Sequence, residues 1–528
     1  MAKKNDSYWK ERMAALEDEQ YSKSTAYYRD LEKQFREASN SVQMDIERWY
    51  NRLADNNEVS YAKAQKMLKA NELEEFKWTV QKYIKAGKEN AVDQRWLKEL
   101  ENASARYHIS YLEAMKLQIR QHAELLFTAY ERGMTEFLHN TYSENYYHTA
   151  FEIAKGAKVG SNLVRLDPKK IDTLIRKSWA QDGSNFSDRI WSNKEKLVNK
   201  LHTELSQSMI RGSDPKKAIR NLAQVMDVSR NQAGCLIMTE SAAIASTAQK
   251  DCFKELGVEQ YEILVTLDTR TSEICRDMDG KVFDMKDYEV GVTAPPFHPR
   301  CRTTTVPYFD DEFSAVEMRA ARNPITGKSI EVPASMNYKQ WHEEFVEGDP
   351  QAALLENMQK NKTADRSQYE KYKEILGREA PKSLDSFQNL KYTNGEAFSF
   401  TELDYERRKR LIDKPELKLP GSDSPILPDK KFTNYLFGGD DPRGLAKGKA
   451  FDSRLGYNVG NWNDLQEEIQ RRAPLYPSTY KQNNGYGDLY EQKMVIYGVN
   501  GKPANVVVGW IYKPDGTISM TSTYIKEV

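Results

Sequence analysis

Three stretches decide the reading of this chain. The first is Thr266-Leu267-Asp268-Thr269-Arg270-Thr271-Ser272-Glu273-Ile274-Cys275, and Met278-Asp279-Gly280-Lys281-Val282-Phe283 follows closely. The third is Pro295-Pro296-Phe297-His298-Pro299-Arg300-Cys301-Arg302-Thr303-Thr304. Tyr261 to Leu267 is β-branched and apolar, which predicts a strand. Asp279-Gly280 reads as a hairpin turn before Lys281-Val282-Phe283. The prolines enforce an irregular, rigid loop around His298. Thr303 to Pro307 closes the unit as a last short strand.

Helical patterns precede this core, over Ser192 to Ser208, Pro215 to Met226 and Ser229 to Leu256, the last ending at Gly257. Asp167-Pro168 opens the region, and Trp179 to Trp191 is aromatic and turn-rich. Further upstream, residues 1–158 lack proline and are dense in Glu, Lys, Ala, Leu and Tyr. Met67, Leu68, Leu73, Phe76, Val80 and Ile84 recur near helical spacing, which predicts a helical bundle or extended helical hairpin. Heptads are not sustained, which argues against one long coiled coil.

The ordered set Asp268-x-Arg270-Thr271, Cys275, Asp279-Gly280 and His298-Pro299-x-Cys301-Arg302 resembles the signature of MuF-type phage head-morphogenesis proteins. Phe186-Ser187-Asp188-Arg189-Ile190-Trp191, Arg211-Gly212 and Thr239-Glu240 support it. So do Asn323-Pro324-Ile325-Thr326-Gly327 and Val332-Pro333-Ala334. The resemblance covers roughly residues 1–350. It implies a minor capsid protein in the virion, inside the head beside the portal, acting in head assembly and DNA delivery. Its implied partners are the portal protein, the capsid and phage DNA.

Many relatives carry Cys-x-x-Cys and Cys-Arg-Cys, where this chain has Ser272 and Thr303 in place of the outer cysteines. Cys275, His298 and Cys301 could still offer three ligands to zinc, with Asp268 or water as a fourth. The alternative is no metal: buried thiols and a histidine that hydrogen-bond the loop to the sheet. Arg270 and Arg302 could join that network through Asp268, Asp277 or Asp279. This central unit carries no phosphate loop, nucleophile elbow or His-Glu-x-x-His.

Composition narrows the rest. The 528 residues allow about three domains. Lys+Arg and Asp+Glu both number 78, so any grip on nucleic acid must be local. Four cysteines (Cys235, Cys252, Cys275 and Cys301) are too few for a disulfide framework and imply synthesis in a reducing cytoplasm. No apolar run reaches membrane-spanning length, and no apolar stretch follows the first residues as in a signal peptide. The expected architecture is multidomain. A helical region (1–158) precedes an α+β MuF-type domain (159–310), a helical connector (311–399) and a C-terminal α+β domain (400–528). Within the connector, Glu312 to Arg322 and Tyr338 to Phe345 read as helices.

In the last domain, Arg407-Arg408-Lys409-Arg410 reads as a solvated helix face or, alternatively, a nucleic-acid site. Pro415 to Pro428 reads as a linker or arm. Helical patterns cover Phe432 to Phe437, Leu445 to Leu455 and Asn461 to Ala473, with Asn461 as N-cap. Three strands follow: Leu489 to Val499, Ala504 to Lys513 and Thr517 to Ile525, with Asn500-Gly501 as a hairpin turn.

Asn434-Tyr435-Leu436-Phe437, Asp441-Pro442-Arg443-Gly444, Lys447-Gly448-Lys449-Ala450-Phe451 and Leu455-Gly456-Tyr457, ahead of a sheet carrying Trp510 and Thr521-Ser522-Thr523-Tyr524, resemble the small C-terminal domains of bacterial polymorphic toxins, and the layout resembles the barnase–EndoU–colicin–RelE group of ribonucleases. The resemblance implies RNA as substrate and an immunity protein as partner. None of the seven histidines lies beyond His342, so paired-histidine catalysis is excluded. Lys449 and Arg443, near helix starts, could hold phosphate. Glu491 could act as base, and Thr521, Ser522 and Thr523 could bond the phosphate. Tyr435, Tyr490 or Trp510 could stack a base. The competing readings are solvated Lys449 and Arg443, a core Trp510 and a cross-strand salt bridge at Glu491. Two other classes remain open: a non-enzymatic module binding portal, DNA or a partner, and, with only four glutamates beyond residue 430, the less expected ADP-ribosyltransferase.

Overall fold

The computed structural model describes residues 6–53, 61–157, 166–211, 214–308 and 318–527. The chain divides into two compact units, Met1–Asp349 and Pro350–Val528.

The first unit is organised by four long helices: α1 (Asp6–Leu53), α5 (Tyr111–Ala157), α7 (Phe186–Ile210) and α8 (Pro215–Glu255). Shorter helices α2 (Tyr61–Ala64), α3 (Ala70–Glu89), α4 (Gln94–Ser104) and α6 (Pro168–Arg176) connect them. The two helices expected over 215–256 are one, because Val228-Ser229 carries no breaker. It ends where expected, before Gly257 at φ +69°.

On α1 one series of buried positions steps by four and seven residues in alternation, Trp9, Met13, Gln20, Ser24, Leu31, Phe35, Val42, Ile46 and Leu53, with Lys10, Asp45, Trp49 and Tyr50 buried beside it. The repeat is therefore eleven residues, or 3.67 per turn, rather than the heptad's 3.5. One layer of that repeat is polar and fully bonded. Gln20 donates to Thr141 at 3.1 Å and accepts from Asn145 at 3.1 Å, and Ser24 lies 2.8 Å from Ser241. Unsatisfied polar groups there would cost about 1–3 kcal/mol each, so this layer fixes the register of α1, α5 and α8.

One hydrophobic core runs from Trp9 to Val306. It joins the segments 1–158 and 159–310 that the sequence analysis treats separately. A three-stranded antiparallel sheet lies at one end, ordered β2 (Val282–Asp284), β1 (Gln260–Leu264) and β3 (Thr304–Tyr308). Lys10 of α1 meets Glu262 of β1 at 2.9 Å, with both side chains buried. A short helix, α9 (Glu273–Met278), absent from the sequence reading, sits between β1 and β2.

The connector differs from expectation. Residues 312–317 lie outside the described residues, but Met318–Arg322 is a strand (β4), not a helix, paired with β5 (Ser329–Pro333) around the Asn323–Gly327 turn. The cause is tertiary. Arg319, 4% exposed, reaches Asp279, the Val265 carbonyl and the Met336 carbonyl. Helix α10 (Tyr338–His342) follows, and Asp279 accepts from its first N–H.

In the second unit, α11 (Pro350–Leu376), α12 (Leu384–Thr393) and α13 (Gly395–Asp413) precede a four-stranded antiparallel sheet. Two further helices, α15 (Pro442–Leu455) and α16 (Trp462–Arg472), lie between, after the single turn α14 (Asp429–Lys431). The strands run in sequence order: β6 (Ser478–Asn483), β7 (Asp488–Tyr497), β8 (Pro503–Tyr512) and β9 (Ile518–Ile525). Three were expected; β6 is polar and exposed, so no apolar alternation marks it.

The 407–410 run is solvated only in part: Lys409 and Arg410 are exposed, but Arg408 is not. Arg408 is 5% exposed and forks onto Asp404 at 2.7 and 3.1 Å. Arg472 donates to the Val495 carbonyl at 2.8 Å and lies 3.4 Å from Glu379. Tyr476 donates to Asp404 and completes the network. The 415–428 stretch is no free linker, because Ile426 bridges Ser519 and Lys418 bridges Pro477. Asn461 stands at the start of α16 but does not cap it; its side chain holds the Asn458 N–H and the Gly456 carbonyl instead.

Candidate functional site

The three quoted stretches converge on the end of the first sheet. Arg302 grips Asp268 with Nη1 to Oδ2 at 2.6 Å and Nη2 to Oδ1 at 2.8 Å. Asp268 also accepts from the Arg270 N–H at 3.0 Å and the Thr271 hydroxyl at 3.1 Å. Burial pushes the Asp268 carboxyl up, but Arg302 outweighs it and holds the group below its usual range. Both expected arginines thus meet Asp268, while Asp279 belongs to Arg319, which the sequence reading missed. Asp279 also accepts from the Val265 N–H at 3.0 Å, and Gly280 turns the chain at φ +75°.

Beside this pair lies a thiol–imidazole cluster. Cys275 Sγ is 3.6 Å from Cys301 Sγ and 3.2 Å from His298 Nε2. Thr303 donates its hydroxyl to Cys275 Sγ at 3.1 Å, and Ser272 caps α9 by accepting from the Cys275 N–H. The contact with Cys301 draws the Cys275 thiol well below the ordinary thiol value. The same contact, with burial, pushes Cys301 up. Among the described residues this is the group of His, Cys, Asp and Glu side chains that could hold a metal ion. Asp268, proposed as a fourth ligand, is committed to Arg302.

The flanking motifs line an open cleft of about 940 Å³ beside His298. Trp179 donates to Glu240 at 2.8 Å, Arg189 lies 3.5 Å from Glu240 and 2.7 Å from Asp182, and the Arg300 N–H reaches Thr239. Burial raises the Glu240 carboxyl, although the Trp179 hydrogen bond opposes it.

The second unit gathers some of the nominated residues and disperses others. Glu491 on β7 pairs with Gly509 on β8, which pairs with Ser522 on β9. The register slips after Gly509, so Thr521 is an extra residue. A Cβ at Gly509 would meet the Thr521 hydroxyl at 2.8 Å and the Ser522 hydroxyl at 3.0 Å. Glu491, Thr521 and Ser522 therefore form one polar row over a glycine floor. Lys481 joins it 3.4 Å from Glu491, so the cross-strand salt bridge is present.

Thr523 is not in that row. It is buried and donates to the Val507 carbonyl. Trp510 is fully buried in the core and cannot stack a base. Tyr490 is half-buried and meets Tyr480 edge-on at 5.7 Å. Arg443 and Lys449 are exposed on α15, and no hydrogen bond or ion pair among the described residues ties them to the row. Tyr435 pairs instead with Lys447, whose ammonium lies 5.3 Å from its ring and 5.4 Å from that of Tyr524.

Residues 199–306 match the family model described as Phage Mu protein F like protein. The match runs from within α7 to β3 and takes in the whole Asp268–Arg302 and Cys275–His298–Cys301 region. It supports a phage head-morphogenesis protein, and with it an association with the virion. Residues 418–527 match a second model, described as Domain of unknown function (DUF6883), which assigns no activity. No curated protein and no solved structure matches the chain. No helix among the described residues is long and apolar enough to cross a membrane.

Proposed function

We propose that the chain is a minor capsid protein, built into the phage head beside the portal and acting in head assembly and DNA delivery. The match over 199–306 carries this reading, because the matched segment is not an appendage: its helices share one core with α1 and α5. The capsid and portal are its partners, and phage DNA passes close by. Mass spectrometry of purified heads tests the proposal. A few copies per head, lost together with the portal when portal assembly is blocked, are expected. Absence from purified heads would overturn it.

A second reading concerns Pro350–Val528, as a passenger that cleaves RNA. The polar row of Glu491, Thr521 and Ser522 favours it, together with the helices-then-sheet order resembling the barnase–EndoU–colicin–RelE group. Glu491 would accept the 2′ proton as the 2′ oxygen bonds to phosphorus, the P–O5′ bond would break with the 5′ oxygen taking a proton from water, and Thr521 and Ser522 would hold the phosphoryl oxygens. An immunity protein would then be a natural partner. Induction of the full chain should fragment RNA and arrest growth, and Glu491→Gln should prevent both. Harmless accumulation of folded wild-type protein would sink this reading and favour a module that binds the portal, DNA or a partner.

A further inference from the structure

We propose that Cys275, His298 and Cys301 bind one zinc ion, with water as the fourth ligand. The spacing carries the argument. Tetrahedral zinc has Zn–S near 2.3 Å and Zn–N near 2.0 Å, which sets two sulfurs about 3.7 Å apart and a nitrogen and a sulfur about 3.5 Å apart. Here the sulfurs are 3.6 Å apart and Nε2 is 3.2 Å from Cys275. All three ligand atoms lie within 4.8 Å of one another. The two separations to Cys275 are within a few tenths of an ångström of those tetrahedral values.

The surrounding bonds orient the ligands. His298 Nδ1 lies 2.8 Å from the Pro299 carbonyl, so its proton is placed there and Nε2 keeps its lone pair for the metal. Thr303 donates to Cys275 Sγ, the bond that a metal-bound thiolate accepts. Cys275 sits on α9, while His298 and Cys301 flank the irregular loop, so one ion would clip two segments that share no strand pairing. A cavity of about 30 Å³ adjoins, lined by Ser272, Cys275, His298, Arg302 and Thr303. It has room for a water at the fourth position. Two thiolates and a neutral imidazole balance the ion's two charges, so the half-buried site gains no net charge.

Elemental analysis of the full chain, purified from zinc-supplemented cells, tests the proposal. About one zinc per chain is expected. Exchange into cobalt should give thiolate-to-metal charge-transfer absorption. His298→Gln, which leaves both buried thiols in place, should lower zinc occupancy at least tenfold, and Cys301→Ser should abolish the cobalt signal. Cys235→Ser, outside the cluster, should keep both. Zinc below about a tenth per chain would overturn the proposal. So would an intact mass about 2 Da low from a Cys275–Cys301 disulfide, or cobalt absorption surviving both substitutions in the cluster.

Discussion

Arg302 closes a two-pronged salt bridge on Asp268, and both side chains are largely out of water. Without Arg302, Asp268 would keep only the more exposed Arg270 as a charged partner, at 3.4 Å. Arg302→Met should therefore destabilise the first unit by about 3–5 kcal/mol. Urea unfolding followed by tryptophan fluorescence measures it. The double variant Asp268→Leu/Arg302→Met should recover part of the loss, because no lone charge is left behind.

The same pair fixes an acid response. Arg302 holds the folded Asp268 carboxyl below its unfolded value, despite burial. Its contribution is complete above the ordinary aspartate value of about 3.9 and is lost as pH falls through the folded value. Melting temperatures recorded downward from neutrality should fall more steeply below about pH 4 in the wild type than in Asp268→Asn. Equal slopes would show that Asp268 does not contribute.

Gly448 lets α15 lie against the turn before it. A Cβ there would stand 1.8 Å from the Leu436 carbonyl oxygen, a contact that only a backbone shift can relieve. Gly448→Ala should cost about 1–3 kcal/mol by overpacking. The neighbouring Lys449→Ala should stay within about 0.5 kcal/mol, as exposed positions do. Chemical denaturation of the two variants side by side distinguishes them.

In the second unit, Tyr476 bonds the buried Asp404, which also carries Arg408. Removing the hydroxyl strips one donor from a carboxylate with no access to water. Tyr476→Phe should lose about 1–3 kcal/mol. Trp510→Ala should lose about 3–5 kcal/mol as a core truncation. Near-neutral behaviour of Trp510→Ala would contradict its place in the core.

The sequence exposes what local physics controls. Runs without internal proline gave the long helices, and Asp279-Gly280 and Asn500-Gly501 gave turns. Arg270 and Arg302 were expected at Asp268, Asp277 or Asp279, and the fold selects Asp268. What escaped was set at a distance. Gln20 and Ser24 occupy buried positions of α1, so an apolar heptad count breaks where the helix does not. Met318 to Arg322 has the composition of a helix, and distant contacts, pairing with β5 and the reach of Arg319 to Asp279, make it a strand. Arg408 looks solvated until Asp404 and Tyr476, the latter 68 residues away, surround it. In the polar row of the second sheet, Thr523 faces away from its neighbour Ser522 by strand alternation, while Thr521 joins the row only through a bulge that no local signal marks.

The eleven-residue beat of α1 has a mechanical consequence. At 3.67 residues per turn it nearly matches the helix's own 3.6, so the buried stripe stays on one side with little winding. Over Asp6–Leu53 the rise amounts to roughly 70 Å. The helix is thus a gauge rod, anchored by Lys10 on the sheet and ending where Arg52 meets Glu75 of α3. It keeps distance and azimuth together. Adding eleven residues would lengthen it by about 16 Å without turning its far end, whereas adding four would swing that end by roughly 30–40°. Length in such a rod can change cheaply only in whole elevens.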